Sequence, residues 1–136
     1  MNTREKSNML AVSIIVTNDE GQVLLRKRVK SPDEGKWELF ASYPYLDELP
    51  LEKAVKRVLK EKAGIDEVSS LQFSGKFYDE PGRHPGQACV PLIFIAKVGK
   101  DIVTSEDRKW FSPSEIKDLP MAFDNKTSLE DLGFVK

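Results

Sequence analysis

The feature that most constrains this chain is the stretch from Trp37 to Ile65, an extended segment and a turn leading into one amphipathic helix. Leu51, Ala54, Val55, Val58, Leu59 and Ala63 recur at helical spacing, so one face of that helix has to be buried against other parts of the chain. Pro50 suits a first helical turn, where a missing N–H costs nothing, and Gly64 suits a left-handed C-cap. The spacing predicts a helix over Pro50 to Ala63. Its opposite face is polar and is the place to look for chemistry.

The surface that covers the helix has to come from strands. Met9 to Thr17 is a dense run rich in β-branched residues, and the turn residues Asn18 to Gly21 separate it from Gln22 to Val29. That pattern reads as a β-hairpin. Arg26, Lys27 and Arg28 follow three apolar residues in its second strand, and a solvated edge with snorkelling basic side chains accounts for them. Lys30 to Lys36 is a turn-rich linker. Val68 to Tyr78 and Ala88 to Val98 read as two more strands, and Cys89, inside the second, is expected to be buried. The loop between them, from Asp79 to Gln87, holds two prolines, two glycines, Arg83 and the only histidine, His84. Lys109 to Phe111 reads as a short strand, Ser112 as the N-cap of a short helix starting at Pro113, and Phe123 to Leu132 as a further helix. Strands grouped about one helix and closed by others imply an α/β protein, a mixed β-sheet sandwiched between helices in an α/β/α arrangement. The 136 residues are expected to form one domain, with residues 1–8 a flexible polar lead-in.

Charge and cysteine content narrow the function. A formal charge of -1 and a pI near 5.9 supply no chain-wide basic field, so nucleic acid is not expected as a partner and any anion site has to be local. A single cysteine excludes an intrachain disulfide and suits a reducing compartment, and no apolar run approaches the roughly 18 residues of a membrane span. A cytoplasmic protein without a membrane partner is expected.

Arg57, Leu59, Glu61, Gly64 and Ile65, preceded by Trp37-Glu38-Leu39, resemble the Nudix hydrolase superfamily, whose box reads Gly-x5-Glu-x7-Arg-Glu-U-x-Glu-Glu-x-Gly-U, with U aliphatic. PGRHPGQACVPLIFIA, from Pro81 to Ala96, is similar to a segment of the ADP-ribose pyrophosphatase branch, and KWFSPSEIKDLPMAFDN, from Lys109 to Asn125, to its closing strand and helix. The resemblance implies the Nudix fold, magnesium as cofactor, and hydrolysis of a nucleoside diphosphate linked to another group, such as ADP-ribose. In that branch a homodimer is a common arrangement.

The sequence departs from the box where the chemistry lies. Val58 stands where glutamate should follow the arginine, Lys62 replaces the second member of the Glu-Glu pair, and Ala41 and Ser42 replace the paired glycines. The first glutamate falls on Glu48 only with one residue inserted, and otherwise the position is Leu49. Hydrolysing a diphosphate by this route requires divalent ions held by several carboxylates, which neutralise the phosphates and activate water. Between Pro50 and Gly64 five basic side chains face two acidic ones. Unit charges ~4 Å apart interact by roughly 4 kcal/mol at an effective dielectric of 20, so a lysine at a ligand position opposes the ion strongly.

Two readings follow. As an enzyme, Glu48, Glu52 and Glu61 would be catalytic and hold magnesium, with Glu106 as a remote metal ligand. As a binding or sensor module with catalysis lost, Lys60 and Lys62 would meet the diphosphate directly as point charges. In either, Arg57 braces the box or contacts the ligand, Arg83 and His84 contact phosphate or ribose, and Tyr43, Tyr45 and Phe77 stack on a base or fill the core. A structural or dimerisation module is a third reading. The residues favour recognition of a nucleotide-derived small molecule with weak or absent hydrolysis.

Overall fold

The computed structural model describes residues 5, 9–78, 89–99 and 101–136. Its strands are β1 (Leu10–Thr17), β2 (Val23–Lys27), β3 (Trp37–Glu38), β4 (Phe40–Ser42), β5 (Ser70–Phe77), β6 (Val90–Lys97) and β7 (Arg108–Phe111). The helices are α1 (Glu52–Ala63), α2 (Pro113–Ile116) and α3 (Asn125–Asp131). All seven strands join one mixed sheet in the order β3-β2-β1-β6-β5, with β4 also pairing β1 and β7 pairing β2.

The hairpin expected at the start forms, with Val16 opposite Leu24 and Thr17 opposite Val23. β1 and β6 run parallel at the centre over their full length, from Leu10 opposite Val90 to Thr17 opposite Lys97. Side chains alternate between the two faces of a strand. Val12, Ile14, Val16, Leu24, Phe94 and Ala96 therefore turn to one face, where they meet Ala54, Val55, Val58, Leu59 and Ala63 of α1. Ile15, Val23, Leu25, Trp37, Leu39 and Ile93 turn to the other, where Ile116 of α2 and Leu129 of α3 cover them. This is the α/β/α sandwich expected from the sequence.

Boundaries differ from expectation in three instructive places. α1 begins at Glu52 with Leu51 as its N-cap, while Pro50 contributes only a carbonyl that accepts from Lys53 N at 3.0 Å. Gly64 closes the helix in the left-handed region at φ 66°, its N–H bonded to Lys60 O. The last helix starts at Asn125 and not at Phe123, because Phe123 has φ 51° and its N–H donates to Asp33 Oδ2 at 3.0 Å. The extended segment after Trp37 is two short strands separated by Leu39, whose N–H turns aside to the buried Asn125 Oδ1 at 2.9 Å.

The short helix after Ser112 forms through a complete capping box: Glu115 N donates to Ser112 Oγ at 3.3 Å and Ser112 N donates to Glu115 Oε1 at 2.8 Å. The bond from Ser112 N, and secondarily the Ser112 hydroxyl, holds the Glu115 carboxyl below its ordinary range. Among the described residues no helix is long and apolar enough to cross a bilayer.

Candidate functional site

The polar face of α1 divides into a brace and a cleft. Glu48, in the loop before the helix, is buried, and Arg57 reaches back to it with Nε on Oε2 at 2.9 Å and Nη2 on Oε1 at 3.0 Å. Tyr45 N also donates to Glu48 Oε1 at 2.8 Å, Arg57 Nη2 donates to Tyr43 O at 3.2 Å, and the guanidinium lies 4.6 Å from the Tyr45 ring centroid. The Glu48 hydrogen bond is the main reason the Arg57 guanidinium holds its proton more tightly than usual. Glu48, considered above as a magnesium ligand, is thus the carboxylate that locks the loop to the helix, and Arg57 is the bracing residue. Tyr45 and Tyr43 belong to the same lock.

The remaining carboxylates do not gather. Glu61 pairs with Arg57 Nη1 at 3.2 Å and is more than half exposed, and Glu52 sits one helix length away in the first turn. Glu106 is exposed at the tip of the turn from Ser105 to Arg108 and lines no cavity with them. Among the described residues no three acidic, histidine or cysteine side chains come together as metal ligands. Magnesium therefore does not fit the donor set of this helix: one box carboxylate is spent on Arg57, one is in solvent, and Lys62 occupies the place of another.

Lys62 turns inward. Its Nζ donates to Ala41 O at 2.7 Å, on the segment that stands for the paired glycines of the box. Lys60, two residues earlier, is exposed and lines neither cavity beside Lys62, because side chains two apart on a helix point roughly 200° apart. The two lysines do not line a common cavity. Arg83 and His84 lie outside the described residues.

The cleft that receives Lys62 is built by strands. Leu24 and Arg26 share the α1 face of β2, with Arg28 just past its end, and Arg26 stands opposite Glu38 of β3 and opposite Arg108 of β7. Glu38 is buried, with Arg26 Nε on Oε2 at 3.0 Å and Arg28 Nη1 on Oε1 at 3.2 Å. The basic run of β2 is thus no solvated edge. β2 is paired on both sides, and Arg26 within it and Arg28 just past its end converge on one carboxylate. Arg108 staples the end of α1 to the sheet, donating to Ala63 O at 3.1 Å and Lys62 O at 2.9 Å, where a cation suits the helix dipole.

Two adjoining cavities of about 480 and 370 Å³ share Arg26, Arg28, Lys30, Glu38 and Lys62. The larger is lined by six basic side chains against two acidic ones, a local concentration of positive charge that the overall charge of the chain conceals. Reading the sequence alone missed Arg26, Arg28 and Glu38. The available signal was the i, i+2 spacing of two arginines beside a glutamate that follows tryptophan.

Elsewhere, Cys89 is buried as expected, and Tyr43 OH lies 3.8 Å from its Sγ. Phe77 is exposed at the end of β5 and lines neither cavity of the cleft.

Comparison with known proteins places this geometry. The family model of the NUDIX domain matches residues 7–132. No protein of curated function matches the chain. Among solved structures, the NUDIX domain of Shewanella oneidensis NrtR complexed with ADP ribose superposes with a TM-score of 0.75 at 23% identity, over 94% of this chain and 88% of that one. NrtR from the same organism complexed with a 27mer DNA matches with a TM-score of 0.69 at 21% identity, over 89% of this chain and 58% of that one. A bifunctional NMN adenylyltransferase/ADP ribose pyrophosphatase from Francisella tularensis matches with a TM-score of 0.70 at 19% identity, over 96% of this chain and 42% of that one.

Proposed function

Since the chain belongs to the NUDIX domain family, we propose that it recognises a nucleoside-diphosphate-linked metabolite such as ADP-ribose in the cleft between β2, β3 and the end of α1, and hydrolyses it weakly or not at all by the magnesium route. The observation that carries the reading is Lys62. Its ammonium sits in a basic cavity, held at 2.7 Å by the Ala41 carbonyl, at the box position where a carboxylate would take a divalent ion. A cation held there favours a phosphate and opposes a metal. Two neighbouring carboxylates add to this, since Glu48 in the loop before the helix is occupied by Arg57 and Glu61 on the helix is paired with it in solvent. The ADP ribose held by the NrtR domain supports the choice of ligand class.

Isothermal titration with ADP-ribose, with and without magnesium, followed by a product assay on the same sample, tests the reading. Binding without accumulation of AMP and ribose phosphate is expected. Magnesium-dependent turnover well above background would show that the box still works as an enzyme, and absence of binding in both conditions would remove the ligand class.

A further inference from the structure

The two arginines on Glu38 have different duties. Each nitrogen of Arg28 is engaged: Nη1 goes to Glu38, Nε donates to Pro32 O at 2.6 Å and Nη2 to Ser31 O at 3.5 Å, while its guanidinium lies 4.8 Å from the Phe123 ring centroid. It fixes the loop after β2 and one oxygen of the carboxylate. Arg26 meets Glu38 through Nε alone among the described residues, and its side chain is 30% exposed where it lines both cavities. With Nε engaged, the two terminal nitrogens of a planar guanidinium form a fork directed away from that contact, the geometry that matches two oxygens of a phosphate.

Resting on the reading of this cleft as a diphosphate site, we propose that Arg26 and Lys62 bind the diphosphate without a divalent ion, and that Glu38 is a positioning residue that aims Arg26. Lys62 supplies from the helix the point charge that a metal would supply, and Arg26 supplies from the sheet the two-pronged contact. The hydrogen bond to the Ala41 carbonyl fixes where the Lys62 ammonium lies at the cleft. Glu38 is ordered from both sides, with a side chain 5% exposed, so the aim of Arg26 is set before any ligand arrives. Buried charges of this kind persist when they are paired and hydrogen-bonded, as Glu38 is.

Inorganic pyrophosphate titrated in the presence of EDTA separates this site from the nucleoside reading, since it carries the diphosphate and nothing else. Binding in chelator is expected, weakening with added salt. Arg26→Ala and Lys62→Met should each weaken it about tenfold or more, the loss of at least one charge-assisted hydrogen bond. Arg26→Lys keeps the charge and loses the fork, and should still bind several-fold more weakly. Glu38→Gln is the decisive variant: removing a negative charge from a basic cavity should tighten anion binding by electrostatics alone, whereas loss of aim weakens it. Melting curves confirm that each variant is folded, and Arg26→Lys tests the fork even if Glu38→Gln is not.

Pyrophosphate binding that requires magnesium, or that ignores both Arg26→Ala and Lys62→Met, overturns the proposal. Tighter binding by folded Glu38→Gln overturns the role given to Glu38. If pyrophosphate behaves as expected and ADP-ribose does not bind, the anion site stands and the nucleoside reading falls. If ADP-ribose binds only with magnesium while pyrophosphate fails in chelator, the anion site falls and the nucleoside reading stands.

Discussion

Replacing Arg57 with alanine tests the division of the α1 polar face into a brace and a cleft. Arg57 serves two carboxylates of very different exposure: Glu48, whose side chain is 7% exposed, and Glu61, at 57%. Arg57→Ala leaves Glu48 as a buried carboxylate without its cation, a change that costs about 3–5 kcal/mol in comparable pairs. With an unfolding entropy of about 2.1 cal/mol/K per residue, a chain of this length loses roughly 10–17 °C of Tm for that amount. Glu48→Gln keeps the shape and the bond from Tyr45 but loses the charge, and should cost about 2 kcal/mol. Glu61→Gln removes only an exposed pair, worth under ~1 kcal/mol. Urea denaturation of the single and double variants gives two coupling energies, expected to be about 2 kcal/mol or more for Arg57 with Glu48 and within ~0.5 kcal/mol of zero for Arg57 with Glu61. Equal couplings, or an Arg57→Ala variant within ~1 kcal/mol of the parent, would sink the brace. So would a Glu48→Gln protein of unchanged stability that had lost magnesium binding, since Glu48 would then be a ligand after all.

Two further outcomes are expected. Gly64→Ala should cost about 1 kcal/mol in urea denaturation, because the φ of 66° is unfavourable for an L side chain while no atom within 4 Å would meet the added Cβ; an unchanged midpoint would mean that the α1 terminus rearranges freely. Burial, with a smaller contribution from its 2.7 Å hydrogen bond to Asp131, pushes the Tyr78 hydroxyl up to about 12. The raised value means that its stabilising contribution is complete below about pH 10 and is lost as pH rises through 12. In an alkaline absorbance titration of the three tyrosines, one should titrate late and disappear in Tyr78→Phe, and three tyrosines titrating together near 10 would contradict the contact.

What could be read from the chain was what depends on neighbours in sequence. The hairpin from Leu10 to Lys27, the apolar face of α1, the left-handed Gly64 and the Ser112 capping box each follow from residues within a few positions of one another. The cleft does not. Arg26 and Glu38 meet because β2 pairs with β3 across twelve positions, and Lys62 reaches Ala41 across twenty-one. The i, i+2 spacing marks two of the three basic residues as sharing a face, but the carboxylate they meet is fixed only when that register is set. The same holds for Glu48, whose offset of one residue from the box pattern hid its partnership with Arg57. Composition concealed the site too, since a chain near neutrality gathers six cations around one cavity.

The alternation along β2 binds the cleft to the core in a way that reaches beyond chemistry. Leu24 packs under α1 and Arg26 enters the cleft on the same side, while Leu25 packs beneath α2 and α3 on the other. A slip of one residue would expose the core and empty the cleft in a single move. Recognition and folding therefore share one register. A molecule clasped between Arg26 on the sheet and Lys62 on the helix would tie the two layers together, and the melting temperature of the whole domain would report its arrival.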